Sequence, residues 1–408
     1  MIQAPAHDPA RALVVVGNSE GGGAQIALDL IAALNSARYQ ITLVAPASAA
    51  LSAWASAHNI DFQPMPLMRS RTGGAPLDDL RALISRLRPG IIHAHGTRAA
   101  WFISRCLPGR ASAPLIYSEH LFSFEARRGP ARLPWLALET YLCRRATVVT
   151  TSCERNARFA ERVRRGERGP VTIRHYGIDS AAVQRQVAQA RDAGDVSDAL
   201  APPLGAPLIG SVGRLIPQKG LRYLIEAAPA ILRATPSARF LIVGEGPERA
   251  ALEAQCRAAG LSDRFYFTGA RERPWELLAR CDVIALPSLW EGLPLTLLEA
   301  LAAGLTVVAS DVGGAREALG PHLRHGLTPP RDAAALASAI TRLLGERELR
   351  ASFQREGPLA AARYDIQRTQ REFAALYESL GRTDARVTNN TDMGTGYPQT
   401  TVGQVRVE

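Results

Sequence analysis

Cysteine is scarce in this 408-residue sequence, and the five that occur show no regular spacing. None forms a Cys-x-x-Cys pair, which argues against a disulfide framework and fits free thiols in a reducing compartment. No apolar run is long enough for a membrane span, and no signal-peptide pattern opens the chain. We therefore expect a cytoplasmic protein, with peripheral attachment to the inner face of the cytoplasmic membrane left open. The cysteines are Cys106, Cys143, Cys153, Cys256 and Cys281.

Lysine is almost absent, because Lys219 is the only lysine among the 48 lysines and arginines. The formal charge of +10 favours anionic partners, which could be nucleotide phosphates, an anionic lipid surface or nucleic acid. Arginines are spread along the chain and no nucleic-acid recognition module is visible, so we expect no nucleic-acid partner. A lone lysine in an arginine-rich chain suggests a position that needs a compact ammonium, although a solvated loop could also carry it.

The sequence also lacks any Asp-x-Asp pair. Enzymes that hold a diphosphate through a divalent metal typically need clustered carboxylates for that metal. We therefore predict no metal site and no cofactor.

Short apolar strands alternate with helical patterns in two successive series, which is typical of parallel sheets covered on both faces. The first series starts near Ala12 and the second near Pro207. The predicted fold class is α/β, with two facing, doubly wound, Rossmann-like domains and a cleft between them. We predict an N-terminal domain at 1–195, a C-terminal domain at 205–362, a helix at 363–380 that crosses back to the first domain, and a disordered tail at 384–408.

Two glutamates eight positions apart mark the carboxyl end of a strand in the second half. Glu291 lies on a loop after the strand DVIALP, where open parallel sheets bind ligands. Glu299 lies about one and a half turns into the next helix, inside an apolar stripe where an unpartnered charge is costly. A buried carboxylate there favours a ligand with hydroxyls, such as the ribose of a nucleotide. Water-facing carboxylates on a capped helix are the alternative.

Two cations stand five residues apart on one glycine-flanked loop at the end of the strand PLIGSVG. Arg214 and Lys219 are placed to hold phosphate groups at the carboxyl edge of the second sheet. Fixed cations of this kind could neutralise a diphosphate without a metal ion.

These features together resemble the retaining glycosyltransferase family 4, which has the GT-B fold. The resemblance rests on the E-x7-E pair within EGLPLTLLEALAAG, on VGRL-x-x-x-KG at 212–220, and on GGGAQIALDLIAAL at 21–34. Further matching stretches are IIHAHG, HYGIDSAAV, VGEGPER and VVASDVGGAREAL, and the match runs from about residue 12 to 380. Three departures are Gln25, where the family often has an acid, the absence of a His-Glu pair before YQITLV, and the unusual segment LFSFEARRG after His120.

The resemblance implies a role for ten residues of this chain. His120 and Glu291 would act at the reacting sugar, and the remaining residues would bind the donor, a UDP- or GDP-sugar. Arg214 and Lys219 would hold its diphosphate and Glu299 its ribose. The other donor-binding residues would be Gly22, Gly23, Gly292, Leu293 and Leu295.

Two further segments of the first half of the chain each allow two functional interpretations. His93 and His95 share one face of a strand and could ligate a metal or line the acceptor side of the cleft. Residues 122–146 mix five arginines with four aromatics. That segment could rest on anionic lipid and reach a lipid-linked acceptor, or pack on the sheet with a solvated arginine face.

The predicted function is transfer of a sugar from a nucleotide-sugar to a hydroxyl of a glycan or lipid-linked glycan, in bacterial cell-envelope or exopolysaccharide synthesis. The resemblance implies retention of anomeric configuration and no metal. The alternatives are another GT-B enzyme, such as a nucleotide-sugar epimerase or a phosphorylase, and a non-catalytic protein that binds nucleotide-sugars or nucleic acid. A pyridoxal-dependent phosphorylase would need a second lysine.

Overall fold

The structure is a computed structural model of the chain, and it describes residues 10–17, 22–35, 39–67, 75–107, 113–164, 170–173, 175–192 and 205–387. Its described strands form two separate sheets, and every pair of neighbouring strands within each sheet is parallel. The predicted fold class is confirmed, because each sheet is wound with helices on both faces in the manner of a Rossmann domain.

The first sheet has seven strands in the order β3-β2-β1-β4-β5-β6-β7. Its interior strand β1 buries Leu13 and Val15 on one face and Val14 and Val16 on the other, so both faces need helices. The strands are β1 Ala10–Val16, β2 Tyr39–Ala45, β3 Asp61–Pro64, β4 Ile91–His95, β5 Leu115–Glu119, β6 Val148–Thr151 and β7 Val171–Ile173. The helices are α1 Gly22–Leu34, α2 Ala49–Ala57, α3 Ala75–Leu87, α4 Gly96–Cys106, α5 Leu133–Arg145, α6 Glu154–Arg164 and α7 Ser180–Asp192.

The second sheet has six strands in the order β10-β9-β8-β11-β12-β13. The strands are β8 Leu208–Val212, β9 Arg239–Val243, β10 Phe265–Gly269, β11 Val283–Leu286, β12 Val307–Ser310 and β13 Leu327–Thr328. The helices are α8 Leu221–Ala234, α9 Arg249–Ala258, α10 Pro274–Leu278, α11 Leu295–Ala302, α12 Ala315–Leu319, α13 Ala333–Gly345, α14 Arg347–Ala361 and α15 Ile366–Val387. One core cluster joins this sheet to its helices.

The chain passes between the two sheets twice, and the two passages lie side by side. The amide of Ile178 donates to Tyr364 O at 2.9 Å, and the amide of Ile366 donates to Ile178 O at 3.2 Å. A Cβ atom at Gly177 would come within 2.2 Å of the backbone of Asp365, so only glycine permits this approach. The two segments therefore form one narrow, hydrogen-bonded connection between the domains.

Each crossing segment leads into a helix that packs on the other side of the connection. Helix α7, on the first-domain side of the predicted boundary at residue 195, packs Val183 and Val187 into the second core. Helix α15 packs Phe373 and Tyr377 into the core of the first sheet. It also continues to Val387, past the predicted start of the tail at residue 384, while residues 388–408 lie outside the described part. The exact domain limits stay predictions.

Candidate active site

A cleft of about 570 Å³ lies where the carboxyl ends of both sheets face each other. Its walls come from both domains, and most of the residues that the sequence singles out are found there. The first domain contributes Val16, Gly17, Gly23, Ala24, Ile26, His95, Gly96, Thr97, Arg98, His120, Leu121, Ser123, Ser152 and Tyr176. The second contributes Gly213, Arg214, Gln218, Lys219, Glu291, Gly292, Leu293, Pro294, Leu295 and Thr296.

The single lysine and the first glutamate of the pair form an ion pair in this cleft. Lys219 ends a short 3-10 turn at Pro217–Lys219, and its Nζ lies 2.6 Å from Glu291 Oε1. Two more side chains donate to the same carboxylate: Ser288 Oγ at 2.9 Å and Gln218 Nε2 at 3.1 Å. Three donors therefore fix the Glu291 carboxylate, which is only 10% exposed. The structure brings Lys219 and Glu291 together, as an ion pair that sequence reasoning did not foresee.

Arg214 lies on the same loop but is exposed. Within the described ranges its guanidinium makes no ion pair or side-chain hydrogen bond, whereas the amide of the next residue, Leu215, donates to Glu245 O at 2.9 Å. Gly213 separates Arg214 from the strand end and leaves room for the stem of Lys219, whose Cε would be 3.4 Å from a Cβ atom there. Both cations of the predicted phosphate clamp thus line one wall, with Arg214 open to the cleft.

Glu299 lies in α11, partly buried behind this wall rather than on it. Burial raises the pKa of its carboxyl to about 7, while a hydrogen bond from the indole of Trp275 and the charge of Lys219 act in the opposite direction. The carboxyl is therefore only partly ionised at neutral pH. Hydroxyl donors from a ligand would favour the ionised form. Glu299 is not among the described residues that line the cleft, and its predicted contact with the donor ribose stays a prediction.

The loop at Gly292 touches the first domain directly. A Cβ atom at residue 292 would lie 1.8 Å from His120 O and 2.9 Å from Ser152 Oγ, so a side chain there is excluded. The carbonyl of Gly292 also accepts a 2.7 Å hydrogen bond from the amide of Gly314. Leu293 and Leu295, the other predicted residues of this loop, line the cleft beside it.

The start of α1, in the first domain, also approaches His120. A Cβ atom at Gly23 would lie 3.2 Å from Cγ of His120, so the glycine lets the helix start pack against that imidazole. Gly22 is the first residue of α1, and residues 18–21 before it lie outside the described part. The free amides at a helix start suit an anionic group.

The three histidines of the first sheet have different roles. His95 Nδ1 lies 3.1 Å from His120 Nε2, and both residues line the cleft. His93 does not line it, because its two ring nitrogens bind Tyr377 OH at 2.9 Å and Ser118 Oγ at 2.6 Å. Burial lowers the pKa of His120 to about 4 and that of His93 to about 3, so both rings are neutral at neutral pH. His95 therefore lines the cleft, as the acceptor-side hypothesis expects, whereas His93 does not.

Glu317 connects the two domains beside the cleft, and sequence reasoning missed it. Its Oε2 accepts a 2.9 Å hydrogen bond from the amide of Glu154, at the start of α6, and its Oε1 pairs with His175 Nε2. A carboxylate at a helix N-terminus is electrostatically favourable. The only sequence signal was an acidic residue shortly after the glycines of DVGG.

The segment at 122–146 contains both buried and exposed side chains, which bears on its two alternatives. Phe122 and Phe124 are buried in the core, at 0% and 3% exposure, so the sheet-packing alternative accounts for them. Leu133 and Tyr141 are exposed, at 64% and 47%. Arg127 stacks over Trp135 at 5.3 Å. A smaller basic patch with two exposed apolar side chains therefore remains.

The described ranges contain neither a metal-binding cluster nor a membrane-spanning helix. No group of three or more His, Cys, Asp and Glu residues there could hold a metal ion, so His93 and His95 find no third ligand among them. No helix among the described residues is both long enough and apolar enough to cross a membrane.

Comparison with known proteins identifies the class of protein that this chain resembles. Residues 195–359 match the family model described as glycosyl transferases group 1, and residues 21–177 match that of a glycosyl transferase 4-like domain. The chain is 31% identical over 299 residues to a 2-deoxystreptamine N-acetyl-D-glucosaminyltransferase from Streptomyces fradiae, covering 68% of this chain and 70% of the relative. It is 30% identical over 320 residues to a 2-deoxystreptamine glucosyltransferase from Streptomyces kanamyceticus, covering 69% and 78%.

Solved structures show the same fold at lower identity. The sucrose-phosphate synthase of Thermosynechococcus elongatus superposes with a TM-score of 0.74 at 22% identity, over 92% of this chain and all of that one. Anabaena HepE, solved in complex with UDP, superposes with a TM-score of 0.72 at 21% identity, over 90% and 100%. These likenesses confirm the two-domain GT-B architecture predicted from the sequence.

Proposed function

Because the chain belongs to the glycosyl transferases group 1 family, we propose that it is a retaining, metal-independent glycosyltransferase that uses a nucleotide-sugar donor. The main support is the cleft itself, which places Arg214 and Lys219 of one domain opposite the α1 start and His120 of the other. Fixed cations aimed at a developing diphosphate charge are a strong source of transition-state stabilisation.

In this proposal the donor diphosphate binds between Arg214, Lys219 and the amides at the start of α1, near Gly22 and Gly23. The ribose hydroxyls donate to Glu299. Glu291 and the backbone of 292–295 orient the transferred sugar, and the His120 imidazole contacts the same sugar from the first domain. Gly292 allows the loop to meet His120 without a steric clash.

The chemical step breaks the bond between the anomeric carbon and the diphosphate oxygen, and forms a bond from that carbon to the acceptor oxygen on the same face. The acceptor hydroxyl loses its proton, which the departing diphosphate takes up as it gains negative charge. Arg214 and Lys219 stabilise that charge, which is the role that a divalent metal has in other sugar transferases. The anomeric configuration is retained because attack and departure share one face.

The test is a transfer assay with UDP- and GDP-sugars, chosen by the thermal shift each produces, since a bound donor stabilises the native state. We expect sugar transfer that survives a chelator and a product whose anomeric proton coupling matches that of the donor. Replacing both cations, as Arg214→Ala with Lys219→Ala, should lower turnover at least about 100-fold. Inversion, or activity lost with EDTA and restored by Mg²⁺, would contradict the proposal. Donor consumption without an acceptor would instead support the epimerase alternative.

For the biological role we propose synthesis of a cell-envelope or exopolysaccharide glycan. One relative, 29% identical over 250 residues, is a lipopolysaccharide core mannosyltransferase from Rhizobium meliloti, covering 59% of this chain and 68% of the relative. The relatives that act on 2-deoxystreptamine support a small cyclitol acceptor as the second candidate. Assays with both acceptor types, using the same donor, separate the two.

Membrane attachment is a further part of this proposal. It is supported by the segment at 122–146, which exposes Leu133 and Tyr141 and carries Arg127 and Arg132 stacked on aromatic rings, a combination suited to an anionic lipid surface. We expect the protein to sediment with anionic vesicles at low salt and to be released at high salt. The double variant Leu133→Ser with Tyr141→Ser should sediment less. No sedimentation of the wild type at low salt would remove this part.

A further inference from the structure

Glu317 is a point at which the second domain touches both the first domain and the chain connection between them. Its Oε2 accepts a 2.9 Å hydrogen bond from the amide of Glu154, the first residue of α6. Its Oε1 pairs with Nε2 of His175, which lies just before the first crossing at Ile178. Beside the second crossing, Arg363 Nη2 donates to the carbonyl of Glu317 at 3.3 Å. We call the contacts of the Glu317 carboxylate with Glu154 and His175 the α12 latch.

An ionised carboxylate suits both partners in this latch. Burial acts to raise the pKa of Glu317, but hydrogen bonds from His175 and from the Glu154 amide lower it below 4.5. The group is therefore charged at neutral pH, and a negative charge at the start of α6 is favourable because the free amides there carry partial positive charge. Since a carboxylate can only accept, the His175 nitrogen that it binds carries a hydrogen.

The first-domain side of the latch is tied to the strand that leads to His120. Asn156, near the start of α6, donates from Nδ2 to both carboxyl oxygens of Glu119 at 3.0 Å. Both residues are buried, and Glu119 is the last residue of β5, directly before His120. The start of α6, which supplies the amide of Glu154, therefore keeps a fixed position relative to His120.

The second-domain side of the latch is joined to the loop at 291–293, which orients the transferred sugar in the proposed function. Glu317 lies in α12, which begins directly after Gly314. The amide of Gly314 donates to Gly292 O at 2.7 Å. A Cβ atom at Gly314 would lie 2.9 Å from Cβ of Cys153 in the first domain. The turn before α12 is therefore packed between the first domain and the loop, so the helix and the loop move together.

The latch bears on sugar transfer because the proposed reacting groups are divided between the two domains. Arg214, Lys219 and Glu299 all belong to the second domain, so most donor contacts remain if the cleft opens. His120 belongs to the first domain, and its carbonyl oxygen would lie 1.8 Å from a Cβ atom at Gly292. The bound sugar therefore meets His120 only while the loop is held against the first domain.

We infer that Glu317 is a positioning residue for sugar transfer: through the α12 latch it holds the loop at 291–293 against His120 and keeps the cleft closed. The inference rests on the proposed function, since it concerns the transfer step of that reaction. Glu317 is not among the described residues that line the cleft, so it acts through the loop and not on a substrate.

The test separates turnover from donor binding in Glu317→Ala. We expect kcat at saturating donor and acceptor to fall about tenfold or more, because loss of the latch lowers the fraction of closed molecules. The donor Kd from isothermal titration calorimetry should change less than about threefold, because its main contacts lie in one domain. Small-angle X-ray scattering should show a larger radius of gyration, a readout that needs no turnover. Glu317→Gln keeps an oxygen acceptor of the same reach and should recover part of the lost kcat.

A matched pair of variants at residue 154 tests the partner of Glu317. Glu154→Pro removes the amide hydrogen that the carboxylate binds, and proline is well tolerated as the first residue of a helix. Glu154→Ala keeps that amide and removes only a side chain that pairs with Arg158. We expect Glu154→Pro to lower kcat about three- to tenfold and Glu154→Ala to stay within about twofold of wild type.

Two further variants show whether these effects share one contact. In a Glu317→Ala background, Glu154→Pro should lower kcat by less than about twofold more, because the contact that it breaks is already lost. Arg316→Ala changes an exposed neighbour on α12 that pairs with Asp311, and it should leave both kcat and the radius of gyration unchanged.

An equal loss of donor affinity and kcat in Glu317→Ala would overturn the inference, because Glu317 would then act on donor binding or on the folding of its domain. An unchanged kcat or an unchanged radius of gyration in that variant would overturn it too, as would equal effects of Glu154→Pro and Glu154→Ala. In each of these cases a wild type that transfers sugar leaves the proposed function standing. If the wild type binds no UDP- or GDP-sugar, the proposed function fails and the inference fails with it.

Discussion

Donor binding should depend on pH through one carboxyl group, that of Glu299. Burial raises its pKa from 4.5 to about 7, which corresponds to a preference for the neutral form of roughly 3 kcal/mol. The neutral form is thus favoured in the free protein, whereas two ribose hydroxyls that donate hydrogen bonds would favour the carboxylate. Binding of the donor should therefore drive deprotonation of Glu299.

The expected size of the pH effect on donor affinity follows from the fraction of Glu299 that is ionised. With a pKa of about 7 the carboxylate fraction is about 0.9 at pH 8 and about 0.1 at pH 6, so the apparent affinity should be about tenfold weaker at pH 6. Isothermal titration calorimetry with UDP-glucose, or the corresponding preferred nucleotide-sugar, measures this directly. A nucleotide-sugar is a better probe than free UDP, because its diphosphate is esterified at both ends and keeps a constant charge in this range.

The control is Glu299→Gln, which cannot ionise and should bind donor more weakly but with an affinity that does not change between pH 6 and 8. Stability supplies a second readout with a definite sign. Because the folded pKa is raised, the contribution of Glu299 is present below about pH 4.5 and is lost as pH rises to about 7. The stability of wild type relative to Glu299→Gln should fall by up to roughly 3 kcal/mol across that window. A flat wild-type affinity, or the same pH dependence in Glu299→Gln, would refute the reasoning.

Three other substitutions test contacts around the cleft. Gly292→Ala places a Cβ atom 1.8 Å from His120 O, so we expect donor turnover to fall at least about 100-fold while circular dichroism stays unchanged. Ser288→Ala removes one of three donors to Glu291 and should lower kcat/KM about three- to tenfold, measured at saturating acceptor. Glu317→Ala breaks a contact between the domains and should increase the radius of gyration in small-angle X-ray scattering; an unchanged radius would mean that the narrow chain connection alone holds the closed arrangement.

Most of the fold could be predicted from the sequence, because the patterns that indicate strands, helices and turns are local. Strands such as VVV at 14–16 are apolar at consecutive positions, which indicates burial on both faces and hence a parallel sheet. The glycine turns and cations that follow these strands must then lie at the carboxyl edge of a sheet. Arg214, Lys219 and Glu291 could be predicted to share a cleft on this basis, without knowledge of any contact between them.

Contacts between distant parts of the chain could not be predicted in this way. Lys219 and Glu291 are joined only because β8 and β11 are neighbours in the sheet, and no local pattern shows that their loops meet. The two histidines of β4 have the same spacing pattern, but only His95 stands at the end of the strand, where it reaches His120. Phe122 is a similar case. From the sequence its aromatic ring could lie on the surface or in the core, and only the packing of the first domain shows that it is buried.

The identity of the single lysine offers the sharpest test of the diphosphate clamp. The Lys219 ammonium lies 2.6 Å from Glu291, and its stem passes over Gly213, so the position accommodates a narrow chain with a compact charge. An arginine keeps the charge, but its wider planar fork cannot make the same single-point contact without displacing the Glu291 carboxylate. We expect Lys219→Arg to lower kcat/KM for the donor about 10- to 100-fold with little change in melting temperature. The reciprocal exchange Arg214→Lys changes an exposed side chain and should lower kcat/KM for the donor less than tenfold. If Lys219→Arg transfers sugar within threefold of the wild-type rate, any cation suffices there, and the shape of the ammonium has no part in binding the diphosphate.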